Sequence, residues 1–443
     1  MQLSSLLGHT QEILTSILGF EKPADALLDS FFRSRRYLGS HDRRFIAETA
    51  YGVLRHRRRV GAILDRSLRP GESELFDDDR LLLTIATYVL MTPGMTPLTA
   101  ADLSVRIRST RLKSQIETIF PRLAANTTAN LSAEESIGIR ESVPDWMVDR
   151  LSREYPADDV ERMLHSMNEP APITLRVNTL KTDVEECRKV LRSEGVETER
   201  TALSPVGLVI RKRVNAFALK SFQEGYFEVQ DEGSQILPLL IDPKPTWKVL
   251  DACAGAGGKT LEFAAIMKNR GEIVAADVNA FRLEELKKRS RRAGASNIRI
   301  REVDALGDLD GAHRGPFDVV FVDAPCSGIG TVRRNPGMKW SVTPSTVDEI
   351  SRKQSDILAS VAPFVKPGGR LVYATCTVFR QENEDVVEAF LAAHPDFQPL
   401  DPAPALAKVP IPDAISGNAV KLVTHRHGTD GFFCAILERK KPN

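Results

Sequence analysis

Apolar residues recur at helical spacing through the first 140 residues of the chain. The segments ADALLDSFFRS and DRRFIAETAYGVLRH both show this spacing, and Gly, Pro or Ser residues separate such segments from one another. No strand pattern of comparable strength occurs there, so the pattern predicts an all-α domain over residues 1–140. In the second segment we expect one continuous buried helix face, formed by Phe45, Ile46, Thr49, Ala50, Val53 and Leu54.

The pattern changes after residue 140. PITLRVNTL and VGLVIRK have the apolar clustering of strands, and DVEECRKVLRSEG between them has helical spacing. These segments predict a small α/β module over residues 141–228.

From residue 229 to residue 443, apolar strand candidates alternate regularly with helix-like stretches. Nearly continuous apolar strands separated by helices indicate a mostly parallel sheet that is covered on both faces. In open sheets of this kind, ligands bind beyond the carboxyl ends of the strands, where the Asp, Gly and Cys residues of these segments fall. The strand candidates are WKVLDAC, GEIVAADV, IRIREVDA, FDVVFVDAP, GGRLVYATC and, after a Pro-rich stretch, GFFCAILER.

Composition limits the class of protein without identifying its function. The 443 residues, 42% hydrophobic and 27% charged, are typical of a globular protein with two or three domains. No apolar run approaches the roughly 18 residues of a membrane span, and the N-terminus lacks the features of a signal peptide, so we expect a soluble cytoplasmic protein with no membrane partner. Sixty Lys and Arg residues nearly balance 59 Asp and Glu residues, which neither predicts nor excludes a nucleic-acid partner.

The strongest local signal is VLDACAGAGGKTLEFAAIM, in which a strand leads into a Gly-rich turn and then a helix. Gly255, Gly257 and Gly258 permit tight turns and close approach of a ligand, and the helix N-terminus offers unpaired amides. The spacing is not that of a Walker motif. Asp277 ends the next strand about 20 positions on, where an acid can accept hydrogen bonds from a ribose or, alternatively, cap a helix.

Consecutive strand ends carry carboxylates, at Asp277, Asp304 and Asp323. Several acids in one crevice would repel a phosphate-rich dinucleotide, whereas they would attract adenosine joined to a cationic sulfonium. The site therefore suits S-adenosylmethionine better than NAD.

Five cysteines, an odd number without a CxxC pair, indicate neither a disulfide framework nor a zinc site, and we predict no bound metal. A cysteine is usually buried and inert, and this interpretation is kept for Cys253 and Cys434. Cys326 in DAPCSG and Cys376 in YATCT instead follow strand ends, so both should face the crevice, where basic neighbours can lower the pKa of a thiol.

A thiolate beside a methyl donor can activate a pyrimidine. Addition of the thiolate to carbon 6 of cytosine turns the ring into an enamine whose carbon 5 can attack a methyl sulfonium. A second group near the adduct can then assist removal of the proton from carbon 5. Asp323 is a candidate to stabilise charge on the ring, and Lys259 either orients the base and the acids or is a solvated lysine at a helix start.

These residues lie in motifs that resemble those of the RsmB/Sun/Fmu-type RNA cytosine-5 methyltransferases. Over residues 142–443 the family's motifs appear in order as FEVQDEGSQ, DACAGAGGKT, AADVNAFRLEEL, VDAPCSGIGTVRRNPGMKW, PGGRLVYATCT, ENEDVV and DGFFCAIL. The resemblance implies a Rossmann-like class I methyltransferase domain, with Cys376 as nucleophile and Cys326 assisting product release. It also implies a set of contacts to S-adenosylmethionine: Cys253, Ala254, Gly255, Ala256, Gly257, Gly258, Lys259, Asp277, Asp304 and Asp323.

The roles of the two thiols stay open to test, because DNA cytosine-5 methyltransferases use the Cys of a Pro-Cys motif as nucleophile. The chain also departs from the family pattern twice. The family commonly has Ala-Ala-Pro-Gly-Gly where this chain has Ala254-Gly255-Ala256-Gly257-Gly258, and Thr377 replaces the usual Ser. The first change loosens the turn without removing its amides, and the second keeps the hydroxyl.

Several segments suggest how RNA is held. The first 140 residues, with YLGSHDRRFIAETAYGVLRHRRR, resemble a NusB-like helical RNA-binding domain, and ITLRVNTLK resembles the family's RNA-contacting module, with Arg176 and Asn178 as candidate contacts. Arg333 and Arg334 follow the Cys326 loop and could bind phosphates of the RNA beside the target base. Trp340 could stack on a base, although packing is its alternative role.

The sequence therefore predicts a monomeric, S-adenosylmethionine-dependent methyltransferase acting on carbon 5 of a cytosine in RNA, with small-subunit ribosomal RNA as the expected partner. Reaching carbons 5 and 6 requires the cytosine to be unstacked. One alternative is a non-catalytic RNA-binding or antitermination factor with a degenerate methyltransferase fold, which the intact acids and cysteines oppose. Another is an amino-group methyltransferase, which would require an Asn/Asp-Pro-Pro-Tyr/Phe motif in place of Asp323-Ala324-Pro325-Cys326.

Overall fold

The computed structural model describes residues 1–20, 22–128, 135–212, 214–303 and 316–442. The chain divides into two compact units, one formed by Met1–Glu169 with Val332–Val342 and the other by Pro170–Thr331 with Thr343–Asn443. The first unit extends beyond residue 140 and takes up a short segment from the C-terminal half. The division into three domains at residues 140 and 228 stays a prediction.

The first unit is built from helices, as the periodicity predicts. Its core contains the whole predicted face of the third helix, which begins after Gly39 and includes Phe45 and Leu54. The resemblance to NusB stays a prediction. The helices are α1 (Leu3–Leu18), α2 (Ala24–Ser34), α3 (Ser40–Arg55), α4 (Arg57–Ser67), α5 (Asp77–Met91), α6 (Ala100–Ser104), α7 (Thr110–Thr128), α8 (Ile137–Arg140), α9 (Asp145–Glu154) and α10 (Ala157–Ser166).

The second unit begins with an antiparallel sheet of four strands in the order β2-β3-β1-β4. Leu175, Leu208 and Phe227 form its core with the apolar face of an amphipathic helix that buries Cys187 and Leu191. The elements are β1 (Thr174–Val177), α11 (Val184–Ser193), β2 (Thr198–Arg200), β3 (Gly207–Ile210), α12 (Lys220–Gln223) and β4 (Phe227–Val229).

The described residues after β4 form a second sheet, of nine strands, in the same unit. Its elements, together with a short helix of the first unit, α16, are α13 (Glu232–Ile241), β5 (Lys248–Asp251), α14 (Gly258–Ile266), β6 (Glu272–Asp277), α15 (Ala280–Ala293), β7 (Ile298–Glu302), β8 (Phe317–Asp323), α16 (Met338–Ser341), α17 (Pro344–Val361), β9 (Val365–Thr375), α18 (Glu384–Ala393), β10 (Phe397–Pro399), α19 (Ala403–Leu406), β11 (Ile415–Ser416), β12 (Ala419–Leu422), α20 (Thr424–His427) and β13 (Phe432–Arg439).

The strand order of this sheet locates a crevice. Strands run in the order β7-β6-β5-β8-β9-β13-β12-β11, with β10 paired to β13, and the pairs from β7 to β9 are parallel. Apolar clusters cover both faces, which confirms the predicted Rossmann-like α/β fold. After β5 the chain builds β6 and β7 on one side and then returns to build β8 and β9 on the other. The order thus reverses between β5 and β8, which is where such sheets bind ligands.

None of the helices described is both long and apolar enough to cross a membrane.

Glu228 in β4 joins the small sheet to α15. Its carboxylate is buried and accepts hydrogen bonds from Arg289 at 3.0 Å and Arg292 at 2.7 Å. Arg289 also donates to the backbone carbonyl of Ala256, in the Gly-rich turn, at 2.8 Å. One buried ion-pair network therefore holds the small sheet, α15 and the Gly-rich turn together.

Replacing Glu228 with alanine should destabilise the protein strongly, because two largely buried arginines would lose their carboxylate partner. We expect the Glu228→Ala free energy of unfolding in urea to fall by about 3–5 kcal/mol. The matched control is Glu284→Ala, which removes an exposed carboxylate 3.5 Å from Lys287 and should cost less than about 0.5 kcal/mol. Similar losses in both variants would contradict this account.

Candidate active site

The Gly-rich turn follows β5 at the point where the strand order reverses. Gly255 and Gly257 adopt left-handed backbone angles, with φ of 54° and 83°. A Cβ atom at Gly257 would lie 2.0 Å from Leu286 Cδ1, so only glycine fits there. Since α14 begins at Gly258, its unpaired first amides lie at the edge where the turn was predicted to bind a ligand.

Asp277 ends β6 and forms hydrogen bonds to the backbone of two neighbouring turns. Its two carboxylate oxygens accept hydrogen bonds from the backbone N–H groups of Gly255 and Asn279, each at 2.8 Å. Asn279 itself caps α15, so the alternative role of Asp277 as a helix cap is wrong. Each carboxylate oxygen keeps a lone pair for a ribose hydroxyl. Asp304, the next predicted acid, lies outside the described residues.

Lys259 is an ion-paired residue of the crevice. Its Nζ donates to Asp323 Oδ2 at 2.5 Å, and its side chain is only 11% exposed. Burial alone would lower the pKa of Lys259, but the negative charge of Asp323 and its hydrogen bond to Lys259 outweigh burial and raise it. The interpretation of Lys259 as a solvated lysine at a helix start is therefore wrong.

Asp251, at the end of β5, belongs to the same cluster although the sequence analysis did not single it out. Its Oδ2 accepts a hydrogen bond from the Thr260 hydroxyl at 2.6 Å, and its Oδ1 has no hydrogen-bond partner in the described part of the chain. Burial raises the pKa of Asp251 to about 7. The signal that could have identified it is its place at the end of the strand WKVLD, directly before the Gly-rich turn.

The two cysteines at the ends of β8 and β9 lie side by side. Their Sγ atoms are 3.2 Å apart, and the backbone N–H of Cys376 donates to Cys326 Sγ at 3.3 Å. The two strands are parallel neighbours, so the loops that follow them meet at the same edge of the sheet. The hydrogen bond with Cys376, burial and the charge of Glu382 raise the pKa of the Cys326 thiol well above its ordinary value. Cys326 therefore keeps its proton at neutral pH.

The remaining cysteines differ from this pair. Cys187 and Cys434 are buried, and burial raises the pKa of each thiol to about 12. Burial and nearby acids, Asp251 first among them, also raise the pKa of Cys253. Among the described residues, no group of three or more His, Cys, Asp or Glu side chains could hold a metal ion.

Glu382 and Asn383 support the two cysteine loops. They begin the motif ENEDVV, whose sequence alone does not reveal this role. Glu382 is fully buried and accepts hydrogen bonds from the Ser327 N–H at 2.7 Å and the Thr377 hydroxyl at 3.1 Å. Asn383 accepts from the Thr375 hydroxyl at 2.5 Å and donates to the Thr377 carbonyl. These residues therefore determine the shape of both loops.

Arg176 is a support for the Gly-rich turn, which corrects its predicted role as an RNA contact. Its side chain is 4% exposed, and Nη1 donates to the Gly258 carbonyl at 2.5 Å, to Glu262 at 3.2 Å and to Gln230. A buried guanidinium with three protein acceptors is not available to a phosphate. Burial raises the pKa of Glu262 to about 8, although the Arg176 charge acts in the opposite direction.

Asn178, which directly follows β1 and was also predicted to contact RNA, is buried as well. Its Nδ2 donates to the carbonyls of Gly225 and Ala293, both at 2.8 Å, so it connects elements of the protein and does not face RNA.

Arg333 and Arg334 belong to the Val332–Val342 segment of the first unit. Arg333 is 5% exposed and Arg334 is half-buried. Contact of these two arginines with RNA stays a prediction.

Comparison with known proteins decides the family. A family model described as 16S rRNA methyltransferase RsmB/F matches residues 238–438, and a model of the ferredoxin-like domain of RsmF/B-like methyltransferases matches residues 143–216. A Synechocystis protein named "Probable ribosomal RNA small subunit methyltransferase B" is 31% identical over 416 residues, which cover 91% of this chain and 92% of the relative. The chain belongs to the RsmB/F methyltransferase family.

Two further similarities extend over the full length of this RsmB/F-family member. A Bacillus subtilis protein with the same name is 29% identical, over 99% of this chain and 100% of the relative. The crystal structure of PH0851 is 27% identical, with a TM-score of 0.78 and 99% of each chain covered. The similarity therefore includes the N-terminal helical unit, and the family predicted from the motifs is confirmed.

The pKa of Asp251 predicts a pH dependence of stability. Between pH 3.8 and about 7 the unfolded chain loses the Asp251 proton while the folded protein keeps it. The free energy of unfolding should therefore fall as pH rises through this window, by at most about 4 kcal/mol. Asp251→Asn removes this contribution, so its stability relative to the parent chain should increase with pH until about pH 7.

Urea unfolding of both proteins across this pH range measures the effect. The control is Asp29→Asn, which changes an exposed carboxylate on α2. If the stability curves of Asp251→Asn and the parent chain stay parallel, Asp251 is ionised in the folded protein and the assignment is wrong.

Proposed function

We propose that this protein transfers a methyl group from S-adenosylmethionine to carbon 5 of an unstacked cytosine in small-subunit ribosomal RNA. The names of its relatives support the RNA substrate. The observation that carries the chemistry is the pair of thiols 3.2 Å apart at the ends of β8 and β9, next to the strand that leads into the Gly-rich turn. Addition to a pyrimidine needs one of these thiols as nucleophile, and the other lies close enough to assist the later steps.

The residues around the turn after β5 fit the methyl donor. When bound, S-adenosylmethionine supplies an electrophilic methyl group on a sulfonium. The Gly255–Gly258 amides and the Asp277 carboxylate would hold its adenosine, as in other open α/β sheets with a Gly-rich turn. The unpartnered Oδ1 of Asp251 is a buried acceptor that a polar group of the ligand can satisfy. The acids at neighbouring strand ends favour a cationic ligand.

Cys376 is the nucleophile in this proposal. The family resemblance assigns this role to Cys376, the positive charge of Lys259 acts on its sulfur, and Cys326 keeps its proton. Its sulfur forms a bond to carbon 6, and the electron pair of the ring double bond moves to carbon 5, which becomes nucleophilic. After carbon 5 is methylated, its proton leaves to a base, the double bond re-forms and the carbon–sulfur bond breaks.

Asp323 and Lys259 act on the ring in this scheme. Asp323 is held by Lys259 and accepts a hydrogen bond from the amino edge of the cytosine. Lys259 carries a proton and stabilises the negative charge that develops on the ring during addition. Because Lys259 is largely buried, its charge acts in a medium of low dielectric constant and is more effective than at the surface.

Substitution of each thiol should separate the two roles. Cys376→Ala should form no covalent RNA adduct and methylate no RNA, while Cys326→Ala should accumulate protein linked to RNA because release is blocked. Denaturing gels with labelled ribosomal RNA measure the adduct, and transfer of a radioactive methyl group measures turnover. The control is Cys187→Ala, a buried cysteine of the small sheet, which should keep turnover. Turnover by Cys376→Ala, with Cys326→Ala inert and free of adduct, would reverse the roles.

Mapping of methylated cytosines tests the function directly. Total RNA from cells with and without the protein is compared by bisulfite sequencing, and we expect loss of 5-methylcytosine at a defined position of small-subunit ribosomal RNA. Re-expression of the parent chain should restore the modification, and re-expression of Cys376→Ala should not. An unchanged set of 5-methylcytosines in all RNA classes would refute the proposed function.

A further inference from the structure

The first unit contains a cavity of about 460 Å³ beside α4. Its wall includes Arg57, Gly61 and Ala62 of α4, together with Ile139 and Trp340. The cavity is shallow and opens widely to solvent, so a ligand in it would lie against one surface of the protein. An aromatic ring, apolar atoms and a cation therefore line one open depression of the surface.

Trp340 is fixed in its orientation. Its indole Nε1 donates to the Leu54 carbonyl at 2.6 Å. The preceding residue, Lys339, is fully buried and anchors the same segment by donating to three oxygens: the carbonyls of Arg55 at 2.9 Å and Ser142 at 3.0 Å, and Asn168 Oδ1 at 2.7 Å. The ring is therefore a preorganised flat surface, which lowers the entropic cost of stacking a ligand on it.

Arg57 is the cation that a ligand in the cavity can use. It is exposed, its Cζ lies 5.5 Å from the Trp340 ring centroid, and within the described chain it makes no hydrogen bond or ion pair. Arg58, which also lines the cavity, is instead bound to Asp145 at 2.6 Å. The one acid on the wall, Asp65, is already paired with Arg80.

The surroundings of the cavity are positively charged. His56 lies directly before Arg57, and its pKa is lowered to about 3, first by burial and then by the charges of Lys339, Arg55 and Arg59. His56 is therefore neutral at physiological pH. Burial lowers the pKa of Lys339 to about 7, so the arginines set the sign of the local potential. A positive potential beside a flat aromatic ring favours a ligand that combines an anion with a planar ring.

We propose that this cavity binds one nucleotide from a single-stranded part of the RNA substrate, with the base stacked on Trp340 and a phosphate held by Arg57. The proposal rests on the proposed function only in taking RNA as the ligand. Gly61 leaves room for the base, because a Cβ atom there would meet nothing within 4 Å. Trp340 packs through its indole N–H and also lines the cavity, so packing does not exclude the stacking proposed here.

Filling the cavity tests the stacking. In the full-length protein, Gly61→Leu places a branched side chain in the space, and Gly61→Ala is the matched control, because both residues are better helix formers than glycine. The probe is a fluorescein-labelled single-stranded RNA, compared with an abasic RNA of the same length. We expect Gly61→Leu to raise the Kd for RNA about tenfold, as the loss of one stacked base should, with little change for abasic RNA. Gly61→Ala should bind like the parent chain.

The arginine is tested by salt dependence. Arg57→Ala should reduce the slope of log Kd against log salt concentration by about 0.7, because one phosphate contact to a single strand is lost. The control, Arg36→Ala, removes an exposed arginine of the same unit that does not line the cavity, and should leave the slope unchanged.

Equal RNA affinity of Gly61→Leu and Gly61→Ala would overturn the proposal, as would an equal loss of affinity for abasic RNA. If the cavity instead binds a protein side chain or a free metabolite, the two Gly61 variants should have equal affinity for RNA. Methylation of cytosine by the parent chain is measured in the same samples. If RNA binding depends on the cavity but the parent chain methylates no cytosine, only the proposed function is refuted. If the parent chain methylates cytosine while Gly61→Leu and Gly61→Ala bind RNA equally well, only the proposed nucleotide site in the cavity is refuted.

Discussion

The buried carboxylate of Glu382 determines where both thiols lie. It accepts hydrogen bonds from the N–H and hydroxyl of Ser327, at 2.7 and 2.5 Å, and from the hydroxyl of Thr377. These two residues directly follow Cys326 and Cys376. A carboxylate without solvent is stable only while its donors stay in place, so both loops are held against one fixed group. The 3.2 Å separation of the sulfurs follows from this constraint and from the parallel pairing of β8 with β9.

The small antiparallel sheet has a comparable role on the other side of the crevice. Arg176 in β1 donates to the Gly258 carbonyl, and Glu228 in β4 holds Arg289, which donates to the Ala256 carbonyl. Both contacts end on the turn that the proposal assigns to the methyl donor. The turn of this chain contains three glycines and no proline, so its backbone is intrinsically loose. Side chains from the neighbouring sheet therefore supply the rigidity that its own sequence lacks.

The parts of the fold that could be predicted are those with local causes. Strands buried on both faces appear as apolar runs, and residues at their carboxyl ends must lie at one edge, which is why the Gly-rich turn, Asp277 and both cysteines were placed together from sequence. The strands β2, β4 and β10 have only three residues each, too few to show a period. The burial of Arg176 and Asn178 depends on partners such as Glu262 and Ala293, far away in sequence, so no local pattern reveals it.

The order of steps in the proposed mechanism also follows from the thiol pair. The hydrogen bond with Cys376 is the largest influence that raises the pKa of Cys326. When the sulfur of Cys376 bonds to carbon 6, it becomes a neutral thioether, so it no longer carries a negative charge that raises the pKa of Cys326. The pKa of Cys326 should then fall, although burial and the charge of Glu382 still raise it. Cys326 can take the proton from carbon 5 once it has given its own proton to solvent, and adduct formation favours that loss. In the proposed mechanism, formation of the covalent intermediate would therefore favour activation of the group that resolves it, since the two sulfurs are in direct contact.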